Sequence, residues 1–116
     1  MQDSCIFCKI IGKEAPAEIL IESDDILIFK DIYPSAPVHY LVVSKKHIPS
    51  IKNINHKDEQ LMGHLIHIAK EGAEKLGLPG YKLVFNVGPE GGQIVDHIHL
   101  HILGGWAKNK PNTINV

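Results

Sequence analysis

Six consecutive residues, His97-Ile-His-Leu-His-Ile102, alternate imidazole and aliphatic side chains without interruption, and Leu103 follows as a further aliphatic residue. A period of two is the mark of a strand, in which side chains at i, i+2 and i+4 share one face. The stretch therefore reads as a β-strand. His97, His99 and His101 take one side, and Ile98, Leu100 and Ile102 turn into a core on the other. A helix would spread the three rings over more than half its circumference. Neighbouring imidazoles on such a strand stand roughly 6–7 Å apart at Cα, close enough to act on one substrate or to share one metal ion.

The rest of the chain supplies the other parts of a sheet. Ile6, Phe7, Ile10 and Ile11 have helical spacing within residues 5–12, and Pro16 ends that short helix. Glu18–Glu22 and Asp25–Phe29 are aliphatic runs parted by Ser23-Asp24, which predicts a β-hairpin. Pro34 and Pro37 make the next segment a loop, Val38–Val43 is a third strand, and Lys45–Pro49 turns away from it. From about Lys57 to Leu76 the period changes. Leu61, Leu65, Ile68, Ala69 and Leu76 fall on one face of a long helix, with Gly77 and Pro79-Gly80 as its stop. Gly63 and Gly72 weaken that helix and permit close packing. Tyr81–Val87 is a fourth strand, Gly88–Gly92 a glycine-rich loop, and the histidine stretch the fifth strand. The tail from about Lys108 is polar, carries Pro111 and is expected to be mobile. The expected fold is α+β: a five-stranded, mainly antiparallel sheet with one long helix and a short N-terminal helix. The length of 116 residues, 44% of them hydrophobic, suits a single domain over residues 1–116 with one core.

A formal net charge of −1 argues against duplex nucleic acid or an anionic membrane as a partner. No apolar run approaches the ~20 residues of a membrane span. Met1-Gln2-Asp3-Ser4 does not open a signal peptide, so a cytoplasmic location is expected. All 12 basic residues are lysine. Without a guanidinium fork, phosphate binding would fall to histidines, lysines, backbone N–H groups and helix N-termini. Cys5 and Cys8 cannot build a disulfide framework, and Cys-x-x-Cys in a cytosolic chain reads as a metal half-site or a redox pair. A metal site needs two further ligands from elsewhere.

A neutral imidazole is a good nucleophile near pH 7, and a second can donate to a phosphate oxygen or a leaving group. A histidine row after a glycine-rich loop, whose N–H groups can approach a phosphate, points to phosphoryl or nucleotidyl transfer. The competing reading is a catalytic zinc shared by His97, His99 and His101.

Residues 97–103 resemble the signature strand of the histidine triad family. Cys5-Ile-Phe-Cys-Lys-Ile-Ile11, Asp31-Ile-x-Pro-x-Ala-Pro37, Lys45-Lys-His-Ile48, Asn86, Gly91-Gly-Gln93 and Leu103-Gly-Gly105 are similar to its branch of small nucleotide-binding proteins. The likeness covers nearly the whole chain. It implies a hydrolase in which His99 attacks the α-phosphorus of a purine nucleoside phosphoramidate or related conjugate. A nucleotidyl-histidine forms, and water releases the nucleoside monophosphate. By the same resemblance His101 hydrogen-bonds the phosphate or bridging atom, and His39 supports the triad. Asn86, Gly92 and Gln93 lie near the phosphate, Asp31 binds the ribose hydroxyls, and Ile6, Phe7, Phe29 and Ile32 wall the base pocket. Cys5, Cys8, His47 and His97 would hold a structural zinc; no catalytic metal is required, and two copies would pair as a homodimer. The chain departs from the family pattern in Ile94, where many relatives have serine, and in Trp106, where arginine is frequent. Lys30 is expected beside the base pocket, where it would bear on base preference. His56 reads as a loop or cap residue, and His64 and His67 as solvated residues of the long helix. Two other activities fit the resemblance: a dinucleoside polyphosphate hydrolase, and a nucleotide-binding protein with vestigial catalysis.

Overall fold

The period-two and period-3.6 segments become strands and helices in the computed structural model, which describes residues 4–108. In chain order these are α1 (Ile6–Ile11), β1 (Ile19–Glu22), β2 (Ile26–Lys30), β3 (Val38–Ser44), α2 (Glu59–Lys75), β4 (Tyr81–Phe85) and β5 (His99–Gly104). The sheet has the order β1-β2-β3-β5-β4, and every neighbouring pair is antiparallel. The fold is α+β, as the sequence pattern predicts. The tail expected to be mobile lies, beyond Lys108, outside the described residues.

Register decides what each face carries, because directly opposed residues of an antiparallel pair point the same way. Leu41 opposes His101, Val43 opposes His99, and Phe29 opposes Leu41, so these side chains share one face. The other face holds Ile28, Val42, Leu100 and Ile102, packed against Leu65, Ile68, Ala69 and Ala73 of α2. Each large aliphatic side chain buried there contributes about 1.5–3 kcal/mol. On the histidine face, α1 lays Phe7, Cys8 and Ile10 over Leu27, Phe29, Leu41 and Val43.

Helix ends follow local chemistry. Cys5 caps α1, its sulfur accepting from the Cys8 N–H at 3.3 Å. Ahead of α2, Asn55 and Asp58 form a capping box, and Lys46 pairs with the buried Asp58 carboxylate at 2.8 Å. That pair holds the Asp58 carboxyl below its usual range. At the other end Gly77 adopts φ +70°, and the Gly77 and Leu78 N–H groups bond to the Glu74 and Ala73 carbonyls, a Schellman stop. Gly72 lets α2 approach the sheet, since a Cβ there would lie 2.7 Å from Ile28 Cδ1. Gly63 faces open space, so the close-packing expectation holds at Gly72 and not at Gly63.

The structure differs from the sequence reading at the ends of the last two strands. β5 begins at His99; His97 sits in a bend before it. The Ile98 N–H bonds to the Ile48 carbonyl at 2.7 Å, which pulls this segment off the sheet ladder toward the turn after β3. β4 ends at Phe85 rather than Val87, because Gly88 turns to φ +71° to start a single 3₁₀ turn at Pro89–Gly91. Further 3₁₀ turns at Ile51–Asn53 and His56–Asp58 lead into α2.

Candidate functional site

Over the histidine face opens a cavity of about 700 Å³. Its apolar lining is made by Ile6, Phe7 and Ile10 of α1, Ala15-Pro16-Ala17 after it, Phe29 and Leu41. Its polar lining is made by Asp31, His39, Asn86, His99 and His101, with Ile32, Tyr33, Gly92 and Ile94 at the same cavity. Phe7 packs edge-on against both His97 and His99, with ring centroids 5.9 and 5.1 Å away. Ile10, Leu41 and Tyr33 were not singled out by sequence, although Ile10 shares the helical face of Ile6 and Phe7.

The hydrogen bonds determine where each imidazole carries its hydrogen. His99 Nδ1 lies 2.7 Å from the His97 carbonyl, which only accepts. The hydrogen of neutral His99 is therefore on Nδ1, and Nε2 holds a free lone pair. The Ser35 N–H donates to His39 Nδ1 at 2.9 Å, so His39 carries its hydrogen on Nε2 and donates it to His101 Nδ1 at 2.8 Å. His101 must then carry its own hydrogen on Nε2. That atom is buried and has no hydrogen-bond partner among the described residues. The Asp31 carboxylate stands 3.4 Å from His39 Nε2 and accepts the Tyr33 N–H at 2.8 Å.

Burial holds all three imidazoles below the usual range, because a charged ring loses more solvation than a neutral one. For His99 the His97 carbonyl and the Asp31 carboxylate pull the other way without prevailing. His101 is pushed down to about 4 by burial and by the neighbouring His99 and His39. His39 is lowered by burial, against the Asp31 charge. Near pH 7 the site thus presents a bare nitrogen on His99 beside an N–H donor on His101, with the two rings 5.1 Å apart.

The glycines of the glycine-rich loop do not offer the free N–H groups that the sequence reading expects. Gly91, Gly92 and Gln93 donate to the Gly88 and Pro89 carbonyls, and the Gly88 N–H donates to Gln93 Oε1 at 3.0 Å. Gln93 Nε2 donates to the Pro49 and Val95 carbonyls at 2.6 and 2.9 Å. The Gln93 amide is fully occupied as a clamp and is not among the cavity-lining groups. Asn86 does line the cavity, while its amide also donates to the Gly91 carbonyl at 2.9 Å. Lys30 alternates with Phe29, so its side chain points to the opposite face of the sheet, where its ammonium lies 4.0 Å from Glu18.

Cys5, Cys8, His47 and His97 converge at the other end of α1, their ligand atoms all within 4.8 Å of one another. Cys8 Sγ is 3.2 Å from His47 Nδ1 and 3.6 Å from His97 Nδ1; Cys5 Sγ is 3.4 Å from His97 Nδ1; the two Nδ1 atoms are 3.1 Å apart. The edges of a tetrahedron around a divalent ion bonded to nitrogen and sulfur are about 3.3–3.8 Å. His97 Nε2 donates to the Ser44 carbonyl at 2.7 Å, which leaves Nδ1 bare as a ligand and fixes the ring. Without an ion, burial pushes the Cys5 thiol up. These residues fit a metal ion. Because His97 turns to the cysteines, the three signature histidines do not converge on one ion, contrary to the shared-metal reading. A second triplet, Asp31, His39 and His101, is held instead by the hydrogen bonds just described. His64 and His67 face separate carboxylates, Asp25 and Glu71, and His56 opens a 3₁₀ turn beside Glu59.

The profile of the family described as "Scavenger mRNA decapping enzyme C-term binding" matches residues 4–113. An "Uncharacterized HIT-like protein" of Synechocystis is 49% identical over 106 residues, 90% of this chain and 93% of the relative. The crystal structure of a HIT family hydrolase from Legionella pneumophila superposes with a TM-score of 0.87 at 47% identity, covering 93% of this chain and 98% of that one. A HIT family hydrolase from Clostridium thermocellum gives 0.90 at 40% identity, covering 98% and 100%.

Proposed function

The chain belongs to the histidine triad family, and from that premise we propose that it hydrolyses nucleotidyl conjugates, purine nucleoside phosphoramidates above all, through a covalent intermediate on His99. The observation that carries this reading is the His99 Nδ1–H held on the His97 carbonyl at 2.7 Å, which leaves Nε2 bare on a residue that lines the cavity. A nucleophile oriented in this way needs no separate base. The apolar lining of the cavity suits a purine, and the Asp31 carboxylate suits ribose hydroxyls as a pure acceptor.

In the first half-reaction His99 Nε2 forms a bond to the α-phosphorus while the bond from phosphorus to the leaving nitrogen breaks. The departing amine takes one proton from solvent. The His101 Nε2–H donates to a phosphoryl oxygen, its direction set by His39. The imidazolium on His99 is stabilised by its Nδ1–H bond to the His97 carbonyl. In the second half-reaction water forms a bond to phosphorus, the phosphorus–His99 bond breaks, and one proton returns to solvent. The net change consumes one water and yields a nucleoside monophosphate and an amine.

Zinc is the ion proposed for Cys5, Cys8, His47 and His97, on the strength of the Cys₂His₂ donor set and its tetrahedral spacing. Bound there it supplies a cross-link between α1 and the segment leading into β5. Pairing of two copies belongs to the same reading; Ile66 on α2 and Leu83 on the edge strand β4 leave apolar surface for it.

The test is AMP release from adenosine 5′-phosphoramidate by the wild type and by His99→Asn, whose amide can still donate to the His97 carbonyl. Release by the wild type, loss in the folded variant, and an AMP-sized mass increment on a quenched His99 peptide are expected. Equal release from both proteins would remove His99 as the nucleophile.

A further inference from the structure

We propose that the group leaving from the phosphate is apolar, and that Ile94 and Tyr33 form its binding surface, beside Ile32 of the expected base pocket. This rests on the hydrolase reading above and names the substrate class that reading leaves open.

The three most exposed large apolar side chains among the described residues are Ile94 at 93%, Tyr33 at 82% and Ile32 at 78%. All three belong to the cavity that contains His99. Single exposed apolar side chains are ordinary, but three gathered at one cavity mark a recognition surface. Their exposure is built in. Ile94 follows Gln93, whose amide is fixed by three hydrogen bonds. The Tyr33 N–H is fixed on Asp31, and the Ser35 N–H on His39. Both loops are therefore held in place by hydrogen bonds beside the cavity.

The charges disfavour the opposite kind of leaving group. A polyphosphate needs several cations or free N–H groups along its length. Lys30 is the one lysine among the lining residues, and its side chain points to the other sheet face toward Glu18. The N–H groups of Gly88, Gly91, Gly92 and Gln93 are already engaged. The Asp31 carboxylate adds a negative charge. His101 Nε2–H serves one phosphate, and beyond it the surface is aliphatic and aromatic. This fits a single anionic phosphate joining a nucleoside to an apolar amine.

The experiment compares two AMP conjugates with the same phosphorus–nitrogen bond, one made with phenethylamine and one with ethanolamine. Each is titrated by calorimetry into His99→Asn, which cannot turn them over, and kcat/KM is measured for both with the wild type. The phenethyl conjugate is expected to bind roughly 10- to 100-fold more tightly. Adding Ile94→Ser is expected to cut that ratio to about threefold or less. Equal affinity for the two conjugates overturns the inference, whatever turnover shows. So does tighter binding of diadenosine tetraphosphate. So does a preference that survives Ile94→Ser while the variant changes its sedimentation, which would make the surface a contact between copies. A binding preference without wild-type turnover supports the apolar site and overturns the hydrolase reading instead.

Discussion

Replacing Gln93 by leucine separates two accounts of this residue. By family resemblance Gln93 sits near the phosphate; in the structure its side chain is 7% exposed and clamps three backbone segments. Leucine fills similar space and leaves the Gly88 N–H and the Pro49 and Val95 carbonyls without partners. Each lost bond costs about 1 kcal/mol, and more where the abandoned partner stays dry. The expected loss is about 3 kcal/mol. For a small domain, roughly 4–8 °C per kcal/mol then lowers Tm by about 12–24 °C. Urea unfolding and thermal melts followed by circular dichroism give both numbers. AMP titration at a temperature where the variant is folded gives the third, with a change below about threefold expected. A stability loss below ~1 kcal/mol would refute the clamp. Weakened AMP binding in a variant of undiminished stability would return Gln93 to the phosphate.

Gly105 has φ +89°, and a Cβ there would lie 2.8 Å from Val38 Cγ2 and 3.2 Å from the Val38 nitrogen. Gly105→Ala is therefore expected to cost about 2–4 kcal/mol by urea titration, and a neutral result would contradict the packing against β3. His39 and His101 are held below the ordinary imidazole value of 6.5, so the unfolded chain takes up protons first as pH falls. Stability present above about pH 6.5 is expected to decline steadily toward the His101 value of about 4, and a urea midpoint unchanged between pH 7.5 and 4.5 would count against that burial. Chelating the metal proposed for Cys5, Cys8, His47 and His97 is expected to lower Tm and also to weaken AMP binding, because α1 carries both Cys5 and Cys8 and the wall residues Ile6, Phe7 and Ile10. An apo-protein that binds AMP as before would uncouple the two sites.

Much of this was legible in sequence because local periodicity is a local property. The strict alternation through residues 97–102 identified the face carrying His99 and His101, and the 3.6 period with Gly77 identified α2 and its end. The order of strands was not legible. Nothing in the β3 segment says that it pairs with β5 rather than β4, since pairing is chosen by tertiary fit. The strand start at His99 was missed because the Ile48 carbonyl, far along the chain, captures the Ile98 N–H. The occupied N–H groups of the glycine loop were missed for the same reason: composition shows that a backbone can approach a ligand, not whether its donors are already bonded. The orphaned His101 Nε2 emerges only once His39 and Ser35 fix the tautomers.

The place of β5 between β3 and β4 also bears on how the molecule forms. β1, β2 and β3 can zip together as successive neighbours, but the inner edge of β3 stays open until a strand from much later in the chain arrives. Such non-local pairing slows folding, and an uncapped apolar edge is a template for other chains. The strand that bears His99 is thus the last stave of the sheet. Substitutions that delay its docking would appear first as aggregation during refolding, in molecules whose native site is unaltered.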